Sequence, residues 1–284
     1  MDEPLPNPSA VPLYFVAQEA RKQVKVVLSG EGADELFGGY RYYQECIPYQ
    51  KYMKVPRFLR LLLGNIAEKL PAFHGRRFLM RGRSPLSVRY IRNNYVYNFS
   101  ECKDILKKDY HAKTPDYYTK PVFDRITNED EITQMQYADM QVWMLYDILQ
   151  KADKMSMANS LELRVPFLDR RVLETALKIP SEYRVTKDGT KLALRRAALK
   201  SLPEKTADMP KIGFLTPLND WLRQDEYYQM IRAAFNGETA GRFFQTQNIT
   251  RLLDDHKAGK AHNMKKIWSV YCFIVWYEEF FVKR

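Results

Sequence analysis

Apolar positions recur with helical spacing along most of this chain. Between Pro12 and Lys22, Leu13, Val16, Ala17 and Ala20 share one face of a predicted helix. Pro56 to Leu70 carries a stronger stripe: Phe58, Leu59, Leu62, Leu63, Ile66 and Leu70. Asp130 to Ala152 gives the longest helix, with Ala138, Val142, Leu145, Leu149 and Ala152 on one side. Shorter helices are expected over 171–178, 191–201 and 248–257. Pro203 closes the second of these and Gly259 the third. Thr216-Pro217 reads as a cap and first-turn proline for a helix through Trp221. The apolar run from Ile267 to Phe281 is broken by Glu278 and Glu279, so it reads as a buried C-terminal helix rather than a membrane span. One run differs in kind. Val24-Lys25-Val26-Val27-Leu28 is short and β-branched, which predicts a buried strand.

That strand stops at Ser29-Gly30-Glu31-Gly32-Ala33-Asp34-Glu35-Leu36-Phe37-Gly38-Gly39-Tyr40. Glycines let backbone approach a ligand closely. A helix starting near Ala33 and running through Tyr43 would aim its first N–H groups at phosphate. Carboxylates beside phosphate make sense with a cation between them, or with one acting as a base.

Two further segments carry chemistry. Residues 147–169 read D-I-L-Q-K-A-D-K-M-S-M-A-N-S-L-E-L-R-V-P-F-L-D, and Pro210-Lys211-Ile212-Gly213-Phe214 follows. With the glycine loop, these three ordered motifs resemble the synthetase domain of glutamine-dependent asparagine synthetases, over nearly the whole chain. The resemblance implies ATP-dependent amide formation. The aspartate carboxylate takes AMP from ATP, pyrophosphate leaves, and ammonia then displaces AMP. It implies ATP and Mg2+ as cofactors, with Asp34 as metal ligand, Glu31 as base and Lys211 on the pyrophosphate side. Ser29, Gly30, Gly32 and Lys151 fall at nucleotide-binding positions. For Lys151 a structural pair with Asp147, four residues earlier, is an open alternative. Glu162 and Arg164 read as a packing corner with one buried ion pair.

The family's fold is an α/β, Rossmann-like sheet of the ATP-pyrophosphatase kind. Its first strand leads into an S-G-G-x-D-S loop that is not found in this sequence, and residue 2 is Asp rather than a glutaminase cysteine. The expectation is therefore a predominantly α segment of that fold with one core parallel strand. Residues 1–284 form an incomplete synthetase domain, divided into a strand-loop-helix at 12–45 and a helical portion at 54–284. Expected partners are ATP, an aspartate-like carboxylate, ammonia from a glutaminase domain, and an N-terminal half in trans. The isolated chain is expected to be inactive.

Bulk properties add limits. Of 284 residues, 45% are hydrophobic, which excludes a disordered chain. Three cysteines without a C-x-x-C pair and no visible signal peptide fit a cytoplasmic protein, with no membrane partner expected. The net charge of +11 and six arginines between Arg76 and Arg92 raise nucleic-acid binding as an alternative. A solvated face is the commoner cause of such a run. A non-catalytic interaction protein is the other alternative.

Overall fold

The computed structural model describes residues 1–91, 96–108, 110–209, 213 and 216–283. Most of it is helical, around one small sheet. β1 (Val26–Leu28) pairs in parallel with β2 (Glu162–Arg164), with Val27 opposite Leu163. The expected single strand thus has a partner, drawn from the segment read as a packing corner. A parallel pair needs a long crossover, and here residues 29–161 supply it.

β1 is not the buried strand its composition suggests. Val26 is half-exposed and Leu28 is 75% exposed, and only Val27 is partly covered. The Ala10–Arg21 helix packs on the Leu149–Met157 helix through Ala17, yet Phe15 and Val16 are exposed. Among the described residues, Val26 and Leu28 of β1 and Phe15 and Val16 of the first helix are exposed apolar side chains.

Three apolar clusters hold the helices together. One joins Leu218, Ile231, Phe235, Ile249, Leu253 and Ile274, so the C-terminal helix Met264–Tyr277 is buried along one face as expected. A second joins Tyr43, Cys46, Tyr90, Phe123, Ile132 and Ala138. The third packs Leu36 and Phe37 from the glycine-loop helix against Met144, Phe167, Leu168 and Ala176.

Several boundaries move. The glycine-loop helix is Ala33–Phe37, five residues, and does not reach Tyr43. Gly38 ends it in the left-handed region at φ 72°, and a 3-10 turn, Arg41–Glu45, follows. The Asp130–Ala152 helix is continuous to Met157, but Asp139–Ile148 is wound as a π-helix. Thr216 does not cap its helix; its hydroxyl donates to the Pro8 carbonyl at 3.0 Å. The largest departure is the Arg57–Lys69 helix. Its large apolar residues, Phe58 foremost at 69%, face solvent, while Gly64 and Ala67 form its packed side. Among the described residues no helix is long and apolar enough to cross a membrane.

Candidate functional site

The glycine loop is shaped from both ends. The Ser29 N–H donates to the Arg164 carbonyl at 2.8 Å, which carries the β1–β2 ladder one residue into the loop. The Ser29 hydroxyl accepts from the Glu31 N–H at 3.4 Å. Gly32 has φ 91°, and a Cβ there would lie 2.3 Å from Leu168 Cδ2. Phe37 meets Phe167 edge-on, with ring centroids 6.2 Å apart. Two motifs far apart in sequence therefore build one unit: the Pro166–Asp169 corner braces the turn between β1 and the Ala33 helix. Gly32 is required by this packing. At Gly30 nothing lies within 4 Å of a built Cβ, so that backbone is open to approach. The five-residue helix is too short to be read as a phosphate site by itself.

The three loop carboxylates have different surroundings. Glu35 is buried and accepts the Tyr40 hydroxyl at 2.6 Å. Burial pushes its carboxyl up, and the nearby charges of Asp34 and Glu31 push the same way. The Lys191 ammonium lies 2.8 Å from Asp34 Oδ1, with both side chains mostly covered. Gly39 passes directly under this pair. Glu31 sits half-buried at the turn and is engaged in contacts of its own.

Lys151 belongs to the Leu149–Met157 helix. Buried, it donates to Ser9 Oγ at 3.1 Å, and Ser9 in turn donates to Asn7 Oδ1. The Asn7 amide donates to Asp147. Burial pushes the Asp147 carboxyl up, against the pull of the Asn7 hydrogen bond and the Lys151 charge. No ion pair joins Asp147 to Lys151 among the described residues; the N-terminal segment bridges them instead. Thr216 also bonds that segment, at the Pro8 carbonyl next to Ser9. Lys211 itself lies outside the described residues.

Glu162 and Arg164 do pair, at 2.5 Å, but on an exposed surface and not as a buried pair. Among the described residues no three His, Cys, Asp or Glu side chains converge as a metal site. Of the loop carboxylates, Asp34 is mostly covered and faces the Lys191 ammonium. One carboxylate plus phosphate oxygens is an ordinary environment for Mg2+, so this donor set fits that ion only as a ligand shared with a nucleotide.

Residues missed by the sequence reading surround this loop. Asp139, fully buried, accepts Tyr42 at 2.5 Å, Tyr90 at 2.7 Å and Tyr43 as well. Burial lifts its carboxyl to about 7 against the pull of those three hydroxyls. Gln136 donates to the Glu35 carbonyl at 2.6 Å, and Arg184 donates to Gln136 at 2.7 Å. The available signal was an aspartate within an apolar stretch of helix, together with the adjacent Tyr42 and Tyr43; Tyr90 stands far from both in sequence.

Four of the six arginines in the run make internal contacts. Arg76 donates to the Ala67 carbonyl at 2.8 Å, Arg81 pairs with Glu45, Arg83 with Glu68, and Arg89 with Glu131. Arg92 lies outside the described residues. A cleft of about 970 Å³ lined by Tyr42, Phe73, Arg76, Arg77 and Met80 opens here.

Comparison with known proteins agrees with the three motifs. The family described as asparagine synthase matches residues 1–278. "Asparagine synthetase [glutamine-hydrolyzing] 1" of Bacillus subtilis (strain 168) is 42% identical over the whole chain, which covers 45% of that protein. A "Putative asparagine synthetase [glutamine-hydrolyzing]" of Mycobacterium tuberculosis (strain ATCC 25618 / H37Rv) is 39% identical over 99% of the chain and 43% of its own length. The "Asparagine synthetase [glutamine-hydrolyzing]" of Rattus norvegicus is 31% identical over 44% of the chain and 25% of its own length. The chain thus spans less than half the length of the first two relatives. With its family match running from the first residue to residue 278, this chain belongs to the asparagine synthase family.

Proposed function

We propose that the chain is the C-terminal synthetase part of a glutamine-dependent asparagine synthetase, forming an amide from ATP, a carboxylate substrate and ammonia. The observation that carries this is the joining of two family motifs at one turn, where Leu168 rests on Gly32 and β1 pairs with β2. That arrangement leaves Ser29 and Gly30 at the mouth of the turn and Asp34 beside a lysine.

In this reading the chain's own residues divide the work. The open backbone at Gly30 and the Ser29 hydroxyl receive the nucleotide. Glu31 takes the proton from the attacking nitrogen. Lys211 neutralises charge on the departing pyrophosphate. Lys151 is held on the N-terminal segment, which fits a supporting role for that wall as well as a nucleotide contact. Asp34 would hold Mg2+, which supplies charge neutralisation between phosphates. Lys191 then matters too, because its ammonium shares the Asp34 carboxylate. β1 becomes an inner strand of a Rossmann-like parallel sheet completed by residues outside this chain, and ammonia comes from a glutaminase domain likewise outside it.

The test joins this chain to the N-terminal part of the Bacillus subtilis relative and follows ammonia- and aspartate-dependent pyrophosphate release from ATP. Release that requires aspartate supports the reading. No release from the chimera, while the relative's own sequence is active in the same assay, rejects it. The arginine run lends little to the nucleic-acid alternative, since Arg76, Arg81, Arg83 and Arg89 are spent on internal contacts.

A further inference from the structure

The Arg57–Lys69 helix packs on the Arg76–Gly82 helix with its small side inward. A Cβ on Gly64 would lie 3.0 Å from both the Leu79 carbonyl oxygen and Arg83 Cδ, so the two backbones approach closely. Arg60 ties the base of this hairpin by donating to the Val55 and Gly82 carbonyls. Tyr49 anchors it to the body by stacking on Phe78, centroids 4.4 Å apart, and by donating to the Phe78 carbonyl. The hairpin is thus internally fixed, and its large residues are turned outward by construction.

Phe58, Leu62, Ile66 and Leu70 follow one another at i, i+4 spacing, and all are exposed; Phe73 continues the row past the helix end. An unbroken exposed stripe of this kind is unusual on a protein surface and marks an interaction site.

Charge identifies what covers it. Residues 46–100 hold eleven Lys and Arg and one acidic residue, Glu68, although Arg81 pairs with Glu45 and the buried Arg89 with Glu131, both outside that stretch. Glu68 is itself paired with Arg83. Lys51, Lys54, Arg57, Lys69 and Arg77 are exposed and make no ion pair among the described residues. A large apolar stripe with basic residues around it is the pattern of a helix lying in a membrane interface. Basic side chains meet lipid phosphates while the stripe enters the acyl boundary. Nucleic acid explains the charge but offers no apolar partner to Leu62, Ile66 and Leu70. A second copy of the chain explains the stripe but would bring two basic surfaces together.

We propose that this hairpin is a docking surface for an anionic lipid bilayer, with the Arg57–Lys69 helix lying flat on it. Leu62, Ile66 and Phe58 are the apolar anchors, and Lys51, Lys54, Arg57 and Arg77 the headgroup contacts. This part of the protein would then work at a membrane face.

Vesicle flotation tests this, using the protein with vesicles of phosphatidylcholine alone or mixed with phosphatidylglycerol. Recovery is expected with the anionic vesicles only, and is expected to fall as salt is raised. Leu62→Glu with Ile66→Glu should cut recovery about tenfold or more. These side chains face solvent, so circular dichroism and thermal midpoint should not change. Lys51→Glu with Lys54→Glu should also weaken recovery while sparing the stripe. Equal flotation with neutral vesicles, none with either kind, or full flotation of the Leu62/Ile66 variant overturns the proposal. So does concentration-dependent self-association that the same variant abolishes while no vesicle is bound; the stripe would then be a contact between copies. Retention of random RNA without vesicle binding overturns it in favour of nucleic acid.

Discussion

Lys191 holds its ammonium 2.8 Å from Asp34 Oδ1 across the backbone of Gly39, from a left-handed backbone position at φ 55°. A non-glycine residue in that region is strained. The strain is set by three hydrogen bonds: Gly39 N–H to the Asp34 carbonyl at 2.7 Å, Lys191 N–H to the Gly38 carbonyl at 3.3 Å, and Leu192 N–H to the Arg184 carbonyl at 3.1 Å. Removing one partner of a mostly covered pair leaves the other charge without compensation. Lys191→Met is expected to cost about 2–3 kcal/mol, and Asp34→Asn a similar amount. The double variant should cost clearly less than their sum, as measured by urea unfolding in a double-mutant cycle. Additive costs would show that the two side chains do not depend on each other.

Gly32 and Gly30 separate packing from access. At Gly32 a side chain meets both a positive φ and Leu168, so Gly32→Ala should lower stability by about 1–3 kcal/mol. At Gly30 the space is empty, so Gly30→Ala should leave the thermal midpoint unchanged. If the turn receives a nucleotide, Gly30→Ala should raise the KM for ATP while the fold is intact. A Gly30→Ala variant with native KM would remove that backbone from the proposed site.

Asp139 should give the protein a distinctive pH response. Its carboxyl is lifted to about 7 by burial, whereas an unfolded aspartate titrates near about 3.9. Between those values the native state holds more protons than the unfolded chain. Stability therefore falls as pH rises across that window. Glu35, also pushed up by burial, acts in the same direction. Asp139→Asn should flatten the decline in unfolding free energy between about pH 4 and pH 7. Asp139→Leu, which leaves the Tyr42, Tyr43 and Tyr90 hydroxyls without their acceptor, should cost about 3 kcal/mol or more at any pH. An unchanged pH slope in the asparagine variant would mean that Asp139 is ionised throughout.

The sequence showed where chemistry concentrates more clearly than how it is supported. Helix periodicity located most long helices because apolar side chains must leave water wherever the chain packs. The same rule misplaced the Phe58–Leu70 stripe, since periodicity identifies a face but not what covers it. β1 was legible as a strand from its β-branched run, yet its exposure depends on neighbours that no local pattern encodes. β2 is three residues long and was hidden within a motif. The Asp139 cluster joins tyrosines 49, 96 and 97 positions away in sequence, and such long-range partners leave only a faint local trace. The candidate glycine loop stands out in the sequence itself, whereas the Lys191–Asp34 contact arises only from tertiary packing.

Glu31 and Lys211 are expected to act at different steps. In a complete synthetase context, Lys211→Ala should abolish pyrophosphate release, because the leaving group loses its neutralising charge. Glu31→Gln should still adenylate slowly but fail to form the amide, because the attacking nitrogen loses its base. Neither variant should unfold the protein. Single-turnover assays of pyrophosphate and amide separate the two steps. Native turnover in both variants would sink these assignments.

The last expectation concerns the open side of β1. Lys25 offers its carbonyl to the Glu162 N–H and Ser29 donates to the Arg164 carbonyl, so both face β2. In a parallel ladder alternate residues point their N–H and C=O groups to opposite edges, which turns those of Val26 and Leu28 away from β2. The side chains of Val26 and Leu28 are exposed as well. A two-stranded pair open in this way is marginal in water and is a template for pairing with another strand. The 284-residue chain alone is accordingly expected to show fast amide exchange from Lys25 to Phe37 and a tendency to associate. It should release no pyrophosphate with aspartate and ATP, and hydrolyse no glutamine. Adding the N-terminal part of the Bacillus subtilis relative should slow exchange at Val26 and Leu28 specifically, because a strand laid on that edge protects those two amides first. Strong protection of both amides in the chain alone, in a monodisperse monomer, would mean that β1 needs no further strand, and the incomplete-sheet reading would fall with it.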